Sequence, residues 1–213
     1  VAEVVKGSAA PKRSPKVIET RRRILDAAQD LFLARGYGAT TIEAIAEAAG
    51  VSVPTVYVRF ENKRFLLQAL LDRTIAGDDD PVPMLDRAWM QDALAQRDAA
   101  ELLRRIVRES RRIHERTVGL VIAVRAAAGT DADLQGLWDT LREQRHAVCS
   151  AIARTLRRRG HDGALSLRQA TDVLDVALSP DVYQMLVVER GWTPREWEQW
   201  TTKVLVDQLG PRS

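Results

Sequence analysis

The twenty-four residues from Thr40 to Lys63, TTIEAIAEAAGVSVPTVYVRFENK, constrain the fold of this chain more than any other stretch. They read as two short helices around a tight turn. Thr40 is placed to cap the first helix, with Glu43 three residues on completing a capping box. Ile42, Ile45, Ala46 and Ala49 make an apolar face at helical spacing. Gly50 stops the helix, because glycine takes the left-handed conformation at little cost. Val51 fills the inside of the turn and Ser52 is placed to cap the next helix. Pro54 falls in that helix's first turn, where its missing N–H does no harm. Val56 and Phe60, four apart, bury one face and leave Val53, Thr55, Tyr57, Val58 and Arg59 pointing away. The pattern predicts a helix-turn-helix, a motif whose second helix ordinarily enters the major groove of DNA.

Charge gathers around this motif. Residues 1–64 hold 11 Lys/Arg against 7 Asp/Glu, a net of +4, while the remainder holds 21 against 22, a net of −1. Lys12, Arg13, Lys16, Arg21, Arg22 and Arg23 lead directly into it. In isolation such a run is as easily a solvated face. Beside a helix-turn-helix, phosphate contact is the better reading, since cations displace counterions from DNA. Residues 1–15, with Gly7, Ser8, Ala9, Ala10, Pro11, Ser14 and Pro15, offer little to pack and read as a disordered basic arm. A first helix is expected over Thr20–Arg35, with Ile24, Ala28, Leu31 and Phe32 as its buried stripe and Gly36 as its end.

A connector helix follows at Lys63–Ala76, and the breakers from Gly77 to Pro83 close it. Further helices are expected at Met84–Gln96, Ala99–Glu115, Thr117–Ala128, Ala132–Arg159, Ser166–Arg190 and Pro194–Leu209. Ser179-Pro180 should interrupt the fifth of these. Arg157, Arg158 and Arg159 before Gly160 read as a favourable helix C-terminus rather than a DNA contact. No strand alternation appears. The fold class is all-α: a three-helix DNA-binding domain over 16–64 and a larger helical domain over 65–213.

The tip of the second helix, Ser52, Val53, Pro54 and Thr55, should meet base edges or nearby phosphates. Val53 and the Thr55 methyl suit thymine methyl groups, and Pro54 offers packing alone. Arg59 carries a planar fork suited to phosphate or guanine. Thr41 and Lys63 sit at helix N-terminal ends, where backbone N–H groups also favour phosphate. Lys63 can instead be a solvated helix-start residue.

Gly36-Tyr37, Thr40-Thr41, Ile45-Ala46, Ala49 to Ser52, Thr55, Tyr57, Phe60 and Lys63 together closely resemble the DNA-binding domain of the tetracycline-repressor (TetR) family, over roughly Thr20 to Leu67. Pro54 and Val58 depart from the commoner pattern, so the DNA sequence preferred is not legible. The resemblance implies that Tyr57 binds phosphate; its alternative role is a ring packed beneath the helix. It implies a homodimer on a near-palindromic operator, with the segments Asp131–Arg159 and Ser166–Arg190 pairing across a two-fold axis. Leu141, Val148, Ile152, Val176 and Leu186, together with Val173, Tyr183 and Val187, are interface candidates, each with intramolecular core as its alternative. It further implies a pocket in the body for a small-molecule effector, apolar in character, which Trp89, His114, Val121, Arg125, Trp138 and Tyr183 are candidates to line, with Met90 and Val124 beside them. For the tryptophans, core packing is the competing role; for His114, a surface or structural one.

Other chemistry finds little support. His114, His146 and His161 are far apart, and no Cys/His cluster, HExxH or phosphate-binding glycine loop occurs, so no metal, cofactor or catalytic activity is expected. Cys149 reads as a small buried side chain, with a redox switch beside Arg145 and His146 as its alternative. No run nears the ~20 apolar residues of a membrane span, and no secretion signal is apparent, which points to the cytoplasm. The expected function is a ligand-released repressor. The alternatives are an activator or architectural DNA-binding protein whose body binds a protein, and a helical binding protein or enzyme with a vestigial reader.

Overall fold

The computed structural model describes residues 15–80, 82–160 and 165–210, which are helical with no strand. The expected arm lies outside the described residues except for Pro15, which opens α1 (Pro15–Ala39), five residues ahead of the expected start. Ile24, Ala28 and Phe32 recur every fourth position and are buried on one face. Gly36 breaks the helix near its end. Then come α2 (Ile42–Ala48), α3 (Val53–Phe60) and the connector α4 (Lys63–Ala76), the last with the bounds its sequence predicts.

The first cap is shifted by one residue from expectation. Thr41 is the N-cap of α2, accepting from the Ala44 N–H at 3.2 Å. Thr40 is fully buried, and its hydroxyl faces the end of α1, with the Gly36 carbonyl at 2.8 Å and the Leu31 carbonyl at 3.2 Å. A buried hydroxyl needs a partner more than an exposed helix start needs a second cap, which explains the order Thr-Thr. Gly50 occupies the left-handed region at φ 62°, as the turn requires. Ser52 is the N-cap of α3 by position, yet its hydroxyl bonds the Thr55 hydroxyl at 2.8 Å rather than a backbone N–H.

The body is built from α5 (Ala88–Ala95), α6 (Ala99–Ala128), α7 (Ala132–Arg158), α8 (Leu167–Ala177), the single turn α9 (Pro180–Tyr183) and α10 (Pro194–Leu209). Met84–Asp86 forms a short 3-10 turn ahead of α5 instead of continuous helix. The expected break near Arg116 is absent, and α6 runs through it. Ser179-Pro180 does interrupt the helix after α8, and a π-helical stretch, Gln184–Glu189, follows α9. Arg159 donates to the carbonyls of Leu94 and Gln96 at the end of α5, so that arginine is structural, as expected.

Two hydrophobic clusters hold these helices. The first joins Ile24, Phe32, Ile45, Val56, Phe60 and Leu66 to Leu120 and Val124 of α6 and to Leu134 and Leu137 of α7. The helix-turn-helix therefore shares a core with the ends of two body helices. Leu33 of α1 approaches so closely that a Cβ on Gly119 of α6 would lie 3.0 Å from it. The second cluster packs α6, α7, α8 and α10 around Leu102, Ile106, Ile152, Leu156, Leu174 and Trp197.

A candidate nucleic-acid interface and an interior cavity

Most of the α3 residues expected to point away from the core are exposed. Tyr57 is 46 % exposed and Val58 80 %, and Arg59 and Pro54 are exposed as well. Val53 differs, being half-buried against the first cluster, which limits what it can offer a base edge. Lys16, Val17 and Thr20 of α1 line a shallow hollow with Ser52, Thr55 and Arg59. The early start of α1 thus brings Lys16 beside the tip of α3, next to Thr20, an addition that the helical stripe of α1 alone does not reveal. Thr41 is exposed at the start of α2.

Lys63 is not the free clamp the sequence suggests, nor merely a solvated residue. Its ammonium donates to the carbonyls of Tyr37 and Thr40, each at 2.9 Å, and lies 4.2 Å from the centre of the Tyr37 ring. Burial holds its pKa below the ordinary lysine value. The side chain pins the start of α4 to the loop between α1 and α2. Two of the three ammonium hydrogens are used in this way, and one is left over.

Within the body, α4, α5, α6, α7 and the α8–α9 connection enclose a mainly apolar cavity of about 190 Å³. Four of the six expected pocket residues line it: Trp89, His114, Val121 and Trp138. The other two do not. Arg125 is exposed on α6 and pairs with Asp181. Tyr183 is buried behind His114, with ring centres 5.0 Å apart. Met90 is also at the cavity wall, whereas Val124 belongs to the first core cluster. Ser110, Gln144 and Arg145 at the wall were not anticipated. They lie on polar faces of long helices, and no pattern in the sequence marks which polar residues turn inward.

His114 is buried rather than superficial. Its Nε2 is 3.1 Å from the Leu178 carbonyl, and Trp197 meets its ring edge-on at 5.4 Å. Burial lowers its pKa to about 4, with smaller contributions from that hydrogen bond, which raises it, and from the Arg145 charge, which lowers it. Cys149 is buried, and desolvation pushes its thiol up to about 12. At neutral pH no thiolate forms there, which removes the basis of a redox switch.

The interface candidates divide in the same way. Ile152 and Tyr183 are buried in the second cluster, Ile152 also at the cavity wall, and Leu141 and Val148 are half-buried where they line the cavity. Leu186, Val173 and Val187 are half-buried against that cluster. Val176 is 64 % exposed. Met185 and Val188 join it as exposed apolar residues, and Trp192 and Trp200 stand edge-to-face at 6.0 Å nearby in sequence. Among the described residues no helix is long and apolar enough to cross a membrane, and no group of acidic, His and Cys residues is arranged to hold a metal.

Comparison with known proteins bears on both parts of the molecule. Residues 24–70 match the family model for bacterial regulatory proteins of the tetR family. The HTH-type transcriptional regulator YvkB of Bacillus subtilis is 50% identical over 54 residues, 25% of this chain and 29% of its own length. The chain thus spans under a third of that relative. The HTH-type regulator TtgW of Pseudomonas putida is 37% identical over 93 residues, which cover 42% of this chain and 69% of TtgW. Among solved structures, the transcriptional regulator FadR of Bacillus subtilis in complex with stearoyl-CoA superposes with a TM-score of 0.70 at 18% identity, over 88% of this chain and 98% of that one. That likeness extends the shared fold beyond the helix-turn-helix to the helical body. By the match of its reader and by a relative aligned over most of its length, the chain belongs to the TetR family of transcriptional regulators.

Proposed function

We propose that this protein is a homodimeric repressor that holds a near-palindromic operator in the cytoplasm and is released by a small molecule bound in the body. The observation that carries the reading is the shared core. The exposed face of α3 and the cavity wall sit on helices packed into one another, so a change at the cavity has a physical route to the reader. Ser52, Thr55 and Arg59 would meet DNA through the tip and side of α3, with Tyr57 and Thr41 on phosphates. Lys16 and Thr20 would extend that contact beside the tip.

The test is fluorescence anisotropy with duplex DNA from upstream of this protein's own gene, at near-physiological salt, against a scrambled duplex of equal composition. Saturable binding that the scramble does not displace is the expected result. Tyr57→Ala should weaken it about tenfold whatever the sequence, and Arg59→Ala should also narrow the gap between operator and scramble. Unchanged affinity in both variants would remove α3 from the interface.

A single reader spans few base pairs, and two at fixed separation gain avidity. The exposed apolar residues Val176, Met185 and Val188 supply a surface for the second copy. A Val176→Glu/Val188→Glu chain is expected to sediment as a monomer at micromolar concentration where the wild type is a dimer. A dimeric variant would place the interface elsewhere.

A further inference from the structure

The effector cavity reads hydrogen-bonding character as well as shape. His114 decides this through its tautomer. A carbonyl oxygen only accepts, so the 3.1 Å contact to Leu178 puts the ring's hydrogen on Nε2. Tyr183 and Trp197 pack against the ring and hold its orientation, at 5.0 and 5.4 Å. The ring is neutral at physiological pH, because burial keeps its pKa near 4. It therefore has one hydrogen, already used, and Nδ1 is a bare acceptor. No described residue donates to Nδ1, although the ring lines the cavity.

The charge at the wall is already matched. Arg145 reaches the cavity, but its Nε donates to Asp175 at 2.7 Å, and the two form an ion pair. An anionic ligand would have to compete with Asp175 for that guanidinium. A cationic one would meet Arg145 with no free carboxylate at the wall. The remaining lining residues with polar side chains, Ser110, Thr117 and Gln144, are uncharged, and the Thr117 hydroxyl already donates to the Ile113 carbonyl.

Resting on the effector reading above, we infer that the cavity selects an uncharged, mainly apolar molecule with a hydroxyl group, an alcohol or a phenol, whose hydrogen is received by His114 Nδ1. Apolar area gives the affinity, and the hydroxyl gives the selection. A ligand of the same shape without the donor leaves Nδ1 unpaired and is discriminated against.

The full chain reports this without DNA, because Trp89 and Trp138 line the cavity and their fluorescence can be quenched. Four probes of similar shape suffice: 1-naphthol, naphthalene, 1-naphthoate and 1-naphthylmethylammonium. The expected order places 1-naphthol about tenfold tighter than naphthalene, one neutral hydrogen bond's worth, and both charged probes weaker than 1-naphthol. In His114→Leu, naphthol and naphthalene should bind alike. The wild-type ranking stands even if that variant fails to fold. Equal binding of naphthol and naphthalene to the wild type, tighter binding of either ion, or no quenching by any of the four would overturn the inference. Because DNA is absent, failure of the operator experiment leaves this ranking intact, and the reverse also holds.

Discussion

A Phe60→Ala chain should be about 3–5 kcal/mol less stable than the wild type and should lose specific DNA binding with that stability. The size follows from how α3 is held. Eight residues are too few to form a helix alone in water, and Val56 and Phe60 are the only members of α3 buried in the core. Removing the ring takes away one of two anchors and opens a cavity in the cluster that also contains Ile24, Phe32 and Leu66. The Arg21 guanidinium lies 5.0 Å above the same ring, so α1 loses a contact too. Tyr57→Ala is the matched control. Tyr57 is exposed, and its loss should change stability by no more than about 0.5 kcal/mol while DNA affinity falls. Urea denaturation followed by circular dichroism, with anisotropy on the same samples, separates the two. Phe60→Ala within about 1 kcal/mol of the wild type would mean that α3 is held by something other than its buried face.

The same contrast shows which parts of the molecule the sequence makes legible. Between Thr40 and Ala76 each residue type answers a local requirement: a left-handed turn at Gly50, a proline where no N–H is needed, and an apolar pair four apart. Local rules place α2, α3 and α4 within about a residue, and the cap shift from Thr40 to Thr41 arises because the Gly36 carbonyl competes for the first hydroxyl. The body is different. Helical spacing says that Ile152, Val148 and Val176 are apolar, but not which neighbour covers each. Ile152 is fully buried at the cavity wall, Val148 is half-buried there and Val176 faces solvent. Arg125 was a reasonable wall residue until Asp181, 56 positions away, claimed its side chain. The long-range contact, not the local pattern, set these positions.

A cavity is the hardest feature to foresee, because it consists of packing that is missing. Trp89 and Trp138 have the spacing of ordinary core, and core is their competing role. Their common wall appears only when α4, α5, α6 and α7 are brought together. The hydroxyl selection inferred for His114 rests on the Leu178 carbonyl, 64 positions along the chain. In the reader, by contrast, the exposed face is legible because short helices on a small core have few ways to turn.

Arg116→Ala should uncouple the cavity from the reader while leaving the fold in place. Arg116 of α6 donates Nε to the Thr74 carbonyl at 3.2 Å and an Nη hydrogen to the Ile75 carbonyl at 3.3 Å. These carbonyls belong to the last turn of α4, where no intrahelical N–H remains to satisfy them, and a cation there also suits the helix dipole. Gly77 ends that helix at φ 85°, and a Cβ in its place would lie 3.2 Å from the same guanidinium, so the turn is shaped around the arginine. Ile75 and Thr117, the immediate neighbours of this contact on α4 and α6, both line the cavity. A ligand pressing on either would move the joint by which α6 holds the far end of the connector α4. Removing the guanidinium should cost about 1–2 kcal/mol of stability and speed amide exchange through the last turn of α4. For any compound that releases the wild type from its DNA, the ligand-induced loss of affinity should shrink at least severalfold, because coupling of this kind is only about 1–3 kcal/mol in all. Affinity without ligand should change far less, since the face of α3 is untouched. Arg116→Lys, which keeps the charge but not the fork, should fall between the two. Full coupling in Arg116→Ala would show that the signal leaves the cavity by another helix, and the α1–α6 contact at Leu33 and Gly119 would then be the next joint to break.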